Sequence, residues 1–197
     1  RKYLYYGIRR IEESQILKEI DYVLKNLSSA VNQTAYFSVL SGGEVLYLLE
    51  ERVPTPITIQ AKRGYKYPAY ATGIGKALLS GKTEKDIKTL YPEGLYKLTE
   101  YTIDDFDTLF SQMEETQKSG YSFEKEESNK DVQCIAVPVK YKENVIAGMS
   151  VAVPVFYYSE EFEKKAMEEL KKARQHIEKL IQDNTREWVY SPLETEA

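Results

Sequence analysis

Residues 131–154, DVQCIAVPVKYKENVIAGMSVAVP, constrain this chain more than any other stretch. The runs 133–141 and 145–153 are rich in Val, Ile and Ala, and Lys142-Glu143-Asn144 separates them. That pattern predicts two strands and a turn. Neither run alternates cleanly between apolar and polar, as a half-solvated strand does. Near-continuous apolar character predicts strands buried on both faces, with helices or a partner against the sheet. Ala136, Ala147, Gly148, Ser150 and Ala152 are all small. Inside a strand, small side chains either let a helix pack close or leave room for something that is not protein.

The remainder supplies a sheet and its helices. Residues 3–7, YLYYG, read as the end of a strand belonging to something upstream, and the start at Arg1 in mid-pattern predicts a longer protein. Ile16, Ile20, Val23, Leu24, Leu27 and Val31 form one stripe, which predicts a helix over 11–31. Strands are expected at 35–40 and 44–50, joined at Ser41-Gly42-Gly43, with a third at 57–61. Pro54 and Pro56 place the entry to that third strand at a sheet edge. Thr72 or Gly73 caps a helix that Gly81 stops, and Thr83 caps a short helix over 83–90. Asp104 or Asp105 starts another, with Phe106, Leu109, Phe110 and Met113 on one face and Gly120 at its end. A strand at 121–126 leads to the 131–154 hairpin. Ser159 caps a long helix to about Asp183, whose buried stripe is Phe162, Ala166, Leu170, Ala173, Ile177 and Leu180. The reading is one α+β domain with an antiparallel sheet over 32–185. Residues 1–31 are expected to reach outside it, and 186–197 to form a tail.

Residue supply narrows the chemistry. The chain has one His and one Cys, so no His/Cys metal site can be built within it. His176 sits among Lys and Arg on the long helix, where it reads as a solvated residue and not a catalytic base. The net charge of −4 gives no footprint for nucleic acid or an anionic membrane. No apolar run is long enough to span a bilayer. A single Cys suits a reducing compartment, and the expected location is the cytoplasm. The 17 Tyr predict large surfaces with an apolar body and a wet edge. Gly73 and Gly75 at a helix start either bare N–H groups to an anion or permit close packing. Cys134 is either a buried, inert residue or, with Val132 on the same strand face, part of a cavity wall. In the second case Ser150 adds a hydroxyl from the neighbouring strand, and Glu124 a carboxyl from the strand before.

Four segments in order, TGIGKALLSG at 72–81, KSGYSFEKEE at 118–127, DVQCIAVPV at 131–139 and IAGMSVAVP at 146–154, resemble the effector-binding domain of the IclR family. These are bacterial and archaeal transcription regulators. The resemblance covers residues 1–185, and RKYLYYGIRR is similar to the last wing strand and linker of the family's winged helix-turn-helix. It implies a curved antiparallel sheet with helices on one side, similar to GAF and profilin-like sensor domains, and an effector pocket over the concave face. The family's small-acid contacts fall on Gly73, Ile74, Glu124, Val132, Cys134, Ser150 and Ala152, with Tyr67 and Ile59 as apolar wall. Members that take short keto-acids carry Asp where Glu124 stands and Ser where Ala152 stands, which leaves the effector's identity open. The implied function is a sensor domain that binds a small metabolite bearing a carboxylate and controls DNA binding by an N-terminal domain. A homodimer or homotetramer is implied, with no cofactor, metal or membrane. A protein-interaction module and a Cys134-dependent enzyme are the competing classes.

Overall fold

The computed structural model describes residues 14–54 and 66–184. The strands expected at 3–7 and 57–61, the tail at 186–197, and Ile59 lie outside the described residues. Helix α1, Gln15–Val31, starts where the Ser14 hydroxyl accepts the Leu17 N–H, and ends at Asn32 in a left-handed conformation. Strands β1 (Thr34–Ser41), β2 (Glu44–Glu51) and β3 (Lys66–Pro68) follow, then helices α2 (Gly73–Leu79), α3 (Glu84–Leu90) and α4 (Phe106–Ser119). The chain closes with β4 (Ser122–Lys125), β5 (Val132–Tyr141), β6 (Asn144–Pro154) and α5 (Glu160–Asp183). The expected caps are in place: Thr83 and Asp86 form a reciprocal capping box on α3, Asp105 caps α4, and Ser159 caps α5.

Every pairing is antiparallel, and the strand order is β3-β2-β1-β6-β5-β4. The hairpin of residues 131–154 is therefore the middle of the sheet, with β6 between β1 and β5. Its unbroken apolar character has a direct cause, because both faces are covered. On one face Ile135, Val137, Val139, Ala147, Met149 and Val151 meet the buried stripes of α1 and α5. On the other, Ala136 and Ala152 meet α2 and α4 together with Tyr36, Val45 and Tyr47. This corrects the expectation of helices on one side. A sheet with apolar residues on both faces needs cover on both.

Two bulges bend the sheet. The register of β1 with β2 passes from Phe37↔Leu49 to Ser38↔Tyr47, leaving Leu48 as the extra residue. That of β5 with β6 passes from Val139↔Ala147 to Lys140↔Val145, leaving Ile146 as the extra residue. At each bulge two neighbours, Leu48 with Leu49 and Ile146 with Ala147, enter the same core layer. Strict alternation fails at these points, so the period of two could not be followed through them from sequence.

Two details differ from the sequence reading. Ile181, not Leu180, ends the fully buried stripe of α5. A straight 3.6-residue period carries the stripe from Ile177 to Ile181, four positions on. The boundary drawn at residue 31 does not coincide with a break in packing, since α1 contributes Ile16, Ile20, Leu24 and Leu27 to the same core as α5.

Candidate functional site

The small residues of β6 serve both of their possible ends. A Cβ on Gly148 would lie 3.0 Å from Ile74 Cγ1 and 3.2 Å from the Ile74 carbonyl oxygen, so this glycine lets α2 sit down on the sheet. Further along the strand, Ser150 and Ala152 border open space. A narrow cleft, open to solvent and with room at its closed end for about one water molecule, is lined there by Tyr67, Gly73, Ile74, Val132, Cys134, Ser150 and Ala152. Those are seven of the nine residues singled out from sequence. Ile59 is outside the described residues. Glu124 does not line the cavity: it pairs with Cys134 across the β4–β5 ladder and lies behind it.

The two glycines at the start of α2 have different duties. A Cβ on Gly75 would fall 2.1 Å from the Ala69 carbonyl oxygen, so Gly75 is there for close packing against the turn at Ala69–Ala71. A Cβ on Gly73 would lie 3.1 Å from the Cβ of Cys134 and 3.5 Å from that of Glu124, on the cavity side. Thr72 is the cap, accepting the Gly75 N–H at 3.0 Å. The first-turn N–H groups of Gly73 and Ile74 precede any intrahelical acceptor, so they are available to the cavity.

Five further lining residues went unseen in the sequence: Tyr36, Tyr47, Thr72, Ser128 and Asn129. The rings of Tyr36 and Tyr47 meet edge to face, 5.2 Å between centroids. Burial pushes both phenols well up, so both are neutral. The Tyr36 hydroxyl lies near Glu50 but makes no hydrogen bond of sound geometry. Only the excess of tyrosine hinted at these two. Ser128 and Asn129 belong to a turn that begins and ends in left-handed backbone, Glu126 at φ 59° and Asp131 at φ 63°. Side-chain and backbone bonds hold the turn: Asp131 N–H donates to Glu126 Oε1, and the Thr99 and Thr102 hydroxyls donate to the Glu126 and Glu127 carbonyls.

Beneath the cavity lies a buried ionic network. Lys76 Nζ, 1% exposed as a residue, donates to Glu127 Oε1 at 2.5 Å, Gln112 Oε1 at 2.8 Å and the Phe123 carbonyl at 3.5 Å. All three of its protons are thus engaged. Burial lowers the lysine's pKa and Glu127 opposes that shift, while burial raises Glu127 and Lys76 opposes it. Glu124, 2% exposed, accepts the N–H groups of Glu127 at 2.6 Å and Ser128 at 3.0 Å through Oε1. Its Oε2 makes no hydrogen bond of sound geometry among the described residues, although the Cys134 thiol lies beside the carboxyl. Burial raises its pKa to about 7, against the bonds from Ser128 and a weaker contribution from the adjacent Cys134 thiol. Burial and the neighbouring Glu124 push the Cys134 thiol well up, so no thiolate nucleophile is prepared. The one histidine, His176, is exposed on α5 and supplies no base here.

Among the described residues no group of His, Cys, Asp and Glu could hold a metal ion, and no helix is long and apolar enough to cross a membrane.

Comparison with known proteins gives one consistent answer. Residues 8–179 match the family described as bacterial transcriptional regulator IclR C-terminal. The HTH-type transcriptional regulator KdgR of Escherichia coli is 28% identical over 157 residues, 79% of this chain and 60% of its own. The HTH-type transcriptional regulator XynR of the same organism is 30% identical over 131 residues, 66% of this chain and 52% of its own. The chain thus spans between half and two thirds of the length of these relatives. The crystal structure of the C-terminal domain of E. coli KdgR superposes with a TM-score of 0.73 at 26% identity, covering 84% of this chain and 98% of that one. A double mutant of the PobR inducer-binding domain from Acinetobacter, in complex with 3-hydroxybenzoic acid, has the same fold. Its TM-score is 0.75 at 24% identity, covering 82% of this chain and 96% of that one. The curved sheet, the glycine-started helix α2 and the match across residues 8–179 together place this chain in the IclR family of transcriptional regulators, of which it carries the C-terminal, effector-binding domain.

Proposed function

We propose that the cavity between α2 and the sheet is the effector site, and that its occupant is a small metabolite bearing a carboxylate. One observation carries this reading. The cavity floor and wall hold polar groups that the protein leaves unused, the first-turn N–H groups of α2 and the buried Tyr36 hydroxyl. Unpaired buried polar groups are costly, and a ligand that satisfies them recovers that cost. A role as a protein-interaction module gives these groups no partner. The bound 3-hydroxybenzoic acid of the PobR domain is a ligand of this chemical class. Gly73, Ile74, Cys134 and Ser150 would meet its polar end, and Tyr67, Val132 and Ala152 its apolar part. Occupancy would bias how an N-terminal winged helix-turn-helix is presented to DNA in a cytoplasmic homodimer or homotetramer. It can do so only by binding one arrangement more tightly, typically by about 1–3 kcal/mol.

The test is a thermal-shift screen of lactate, benzoate and 3-hydroxybenzoate beside their neutral amides. An acid at 100 times its Kd adds about 2.7 kcal/mol, a rise of roughly 5–10 °C in Tm for a domain of this size. If no small molecule moves the Tm of the parent chain, the sensor reading falls.

A further inference from the structure

We propose that an anionic effector enters this cavity together with one proton, and that Glu124 takes the proton up. The inference rests on the carboxylate reading above. It starts from the charges around Glu124. Four titratable side chains face it: Lys76 from α2, Glu127 from the turn after β4, Cys134 from β5 and Tyr47 from β2. Lys76 is the one cation among them, and Glu127, Gln112 and the Phe123 carbonyl hold all three of its protons. It cannot turn to a new anion without stripping Glu127 of its partner. Cys134 and Tyr47 are neutral.

An ionised Glu124 therefore adds an uncompensated negative charge beside the cavity, only one residue layer behind Gly73 and Cys134. None of the described lining residues is charged. Two carboxylates this close in a water-poor site repel strongly, and the pair binds with one proton or not at all. Glu124 has the atom for it: Oε1 is committed to two backbone N–H groups, and Oε2 makes no hydrogen bond of sound geometry among the described residues, the neighbouring Cys134 thiol being the only side chain that offers the carboxyl a proton. Protonated at Oε2, the group keeps both of its bonds to the turn that carries Ser128 and Asn129, and loses only its charge. The proton comes from solvent, so the net reaction is chain plus effector anion plus one proton.

The burial that raises Glu124 to about 7 puts this coupling in the physiological range. Above that value the free chain must acquire the proton on binding, so affinity falls about tenfold per pH unit. Below it the proton is already present, and affinity is flat. Calorimetry of lactate and benzoate binding to the full 197-residue chain, in two buffers of different ionisation enthalpy, counts the proton directly. Uptake near one at about pH 8.5, falling towards zero at about pH 6, is the expected result. Carboxyl ¹³C resonances of Glu-labelled chain give a readout independent of any variant. The Glu124 signal, identified by its loss in Glu124→Gln, titrates near 7 in the free chain and moves upward when benzoate is added. Binding of either acid with no proton exchange, or a Glu124 signal that titrates in the ordinary carboxylate range, overturns this inference and leaves the sensor reading standing. Failure of both acids to bind across this pH range overturns it too. The sensor reading then survives only if another small molecule shifts the Tm.

Discussion

Gly73 faces Cys134 so closely that a Cβ added to the glycine would lie 3.1 Å from the Cβ of the cysteine. Gly75, two residues on, faces backbone at 2.1 Å. The two glycines should therefore separate on mutation. Gly75→Ala drives a methyl into the Ala69 carbonyl and is expected to cost about 3 kcal/mol, a fall in Tm of roughly 6–12 °C. Gly73→Ala needs only a few tenths of an ångström from Cys134 and is expected to change stability by less than about 1 kcal/mol. It should nonetheless weaken acid binding about tenfold or more, because the methyl occupies cavity space. Thermal melts and calorimetry on both variants check this. Parent-like affinity in Gly73→Ala would move the site elsewhere.

Lys76→Met should be among the most damaging single changes, at about 3–5 kcal/mol. It leaves Glu127 buried without its cation, a larger loss than the ion pair itself contributes. Glu127→Gln on that background is expected to restore at least about 1 kcal/mol, because the stranded charge is removed. Urea denaturation of the two single variants and the double variant completes the cycle. Additive losses would show that the two side chains do not act as a pair.

Stability should respond to pH through Glu124. Its pKa is raised in the folded chain from 4.5 to about 7, so between those values the folded state holds a proton that the unfolded state has released. The contribution is complete below the unfolded value and is lost as pH rises through the folded one. Glu124→Gln keeps an Oε1 acceptor for the Glu127 and Ser128 N–H groups and has no charge to lose. The variant is expected to gain about 1–3 kcal/mol on the parent between about pH 5 and pH 8. Denaturation midpoints at those two pH values measure it. An equal gap at both would sink the assignment.

These 197 residues should not bind duplex DNA specifically at physiological salt. DNA affinity comes largely from Lys and Arg on phosphates, and the chain carries a net charge of −4. A gel shift that tracks operator sequence would contradict the assignment of DNA contact to a separate winged helix-turn-helix.

What the sequence determined by itself was local and periodic. The caps at Thr83, Asp105 and Ser159 and the stripe of α1 follow from side chains within a few residues of each other. The buried hairpin of β5 and β6 was legible for a related reason: a strand covered on both faces must be apolar at every position, and residues 131–154 nearly are. Val132 and Cys134 could be placed on one side of β5 by alternation alone, and the family motifs drew Gly73 and Ser150 to the same place. Tertiary structure decided the rest. Tyr36 and Tyr47 reach the cavity because β1 and β2 pair beside β6, a relation between strands about a hundred residues apart. The partnership of Lys76 with Glu127 joins a helix to a turn 51 residues away. In the linear chain both are ordinary charged residues, and only their common burial makes them a network. The same holds for Glu124, whose proton is governed by what surrounds its carboxyl and by nothing in its neighbours along the chain.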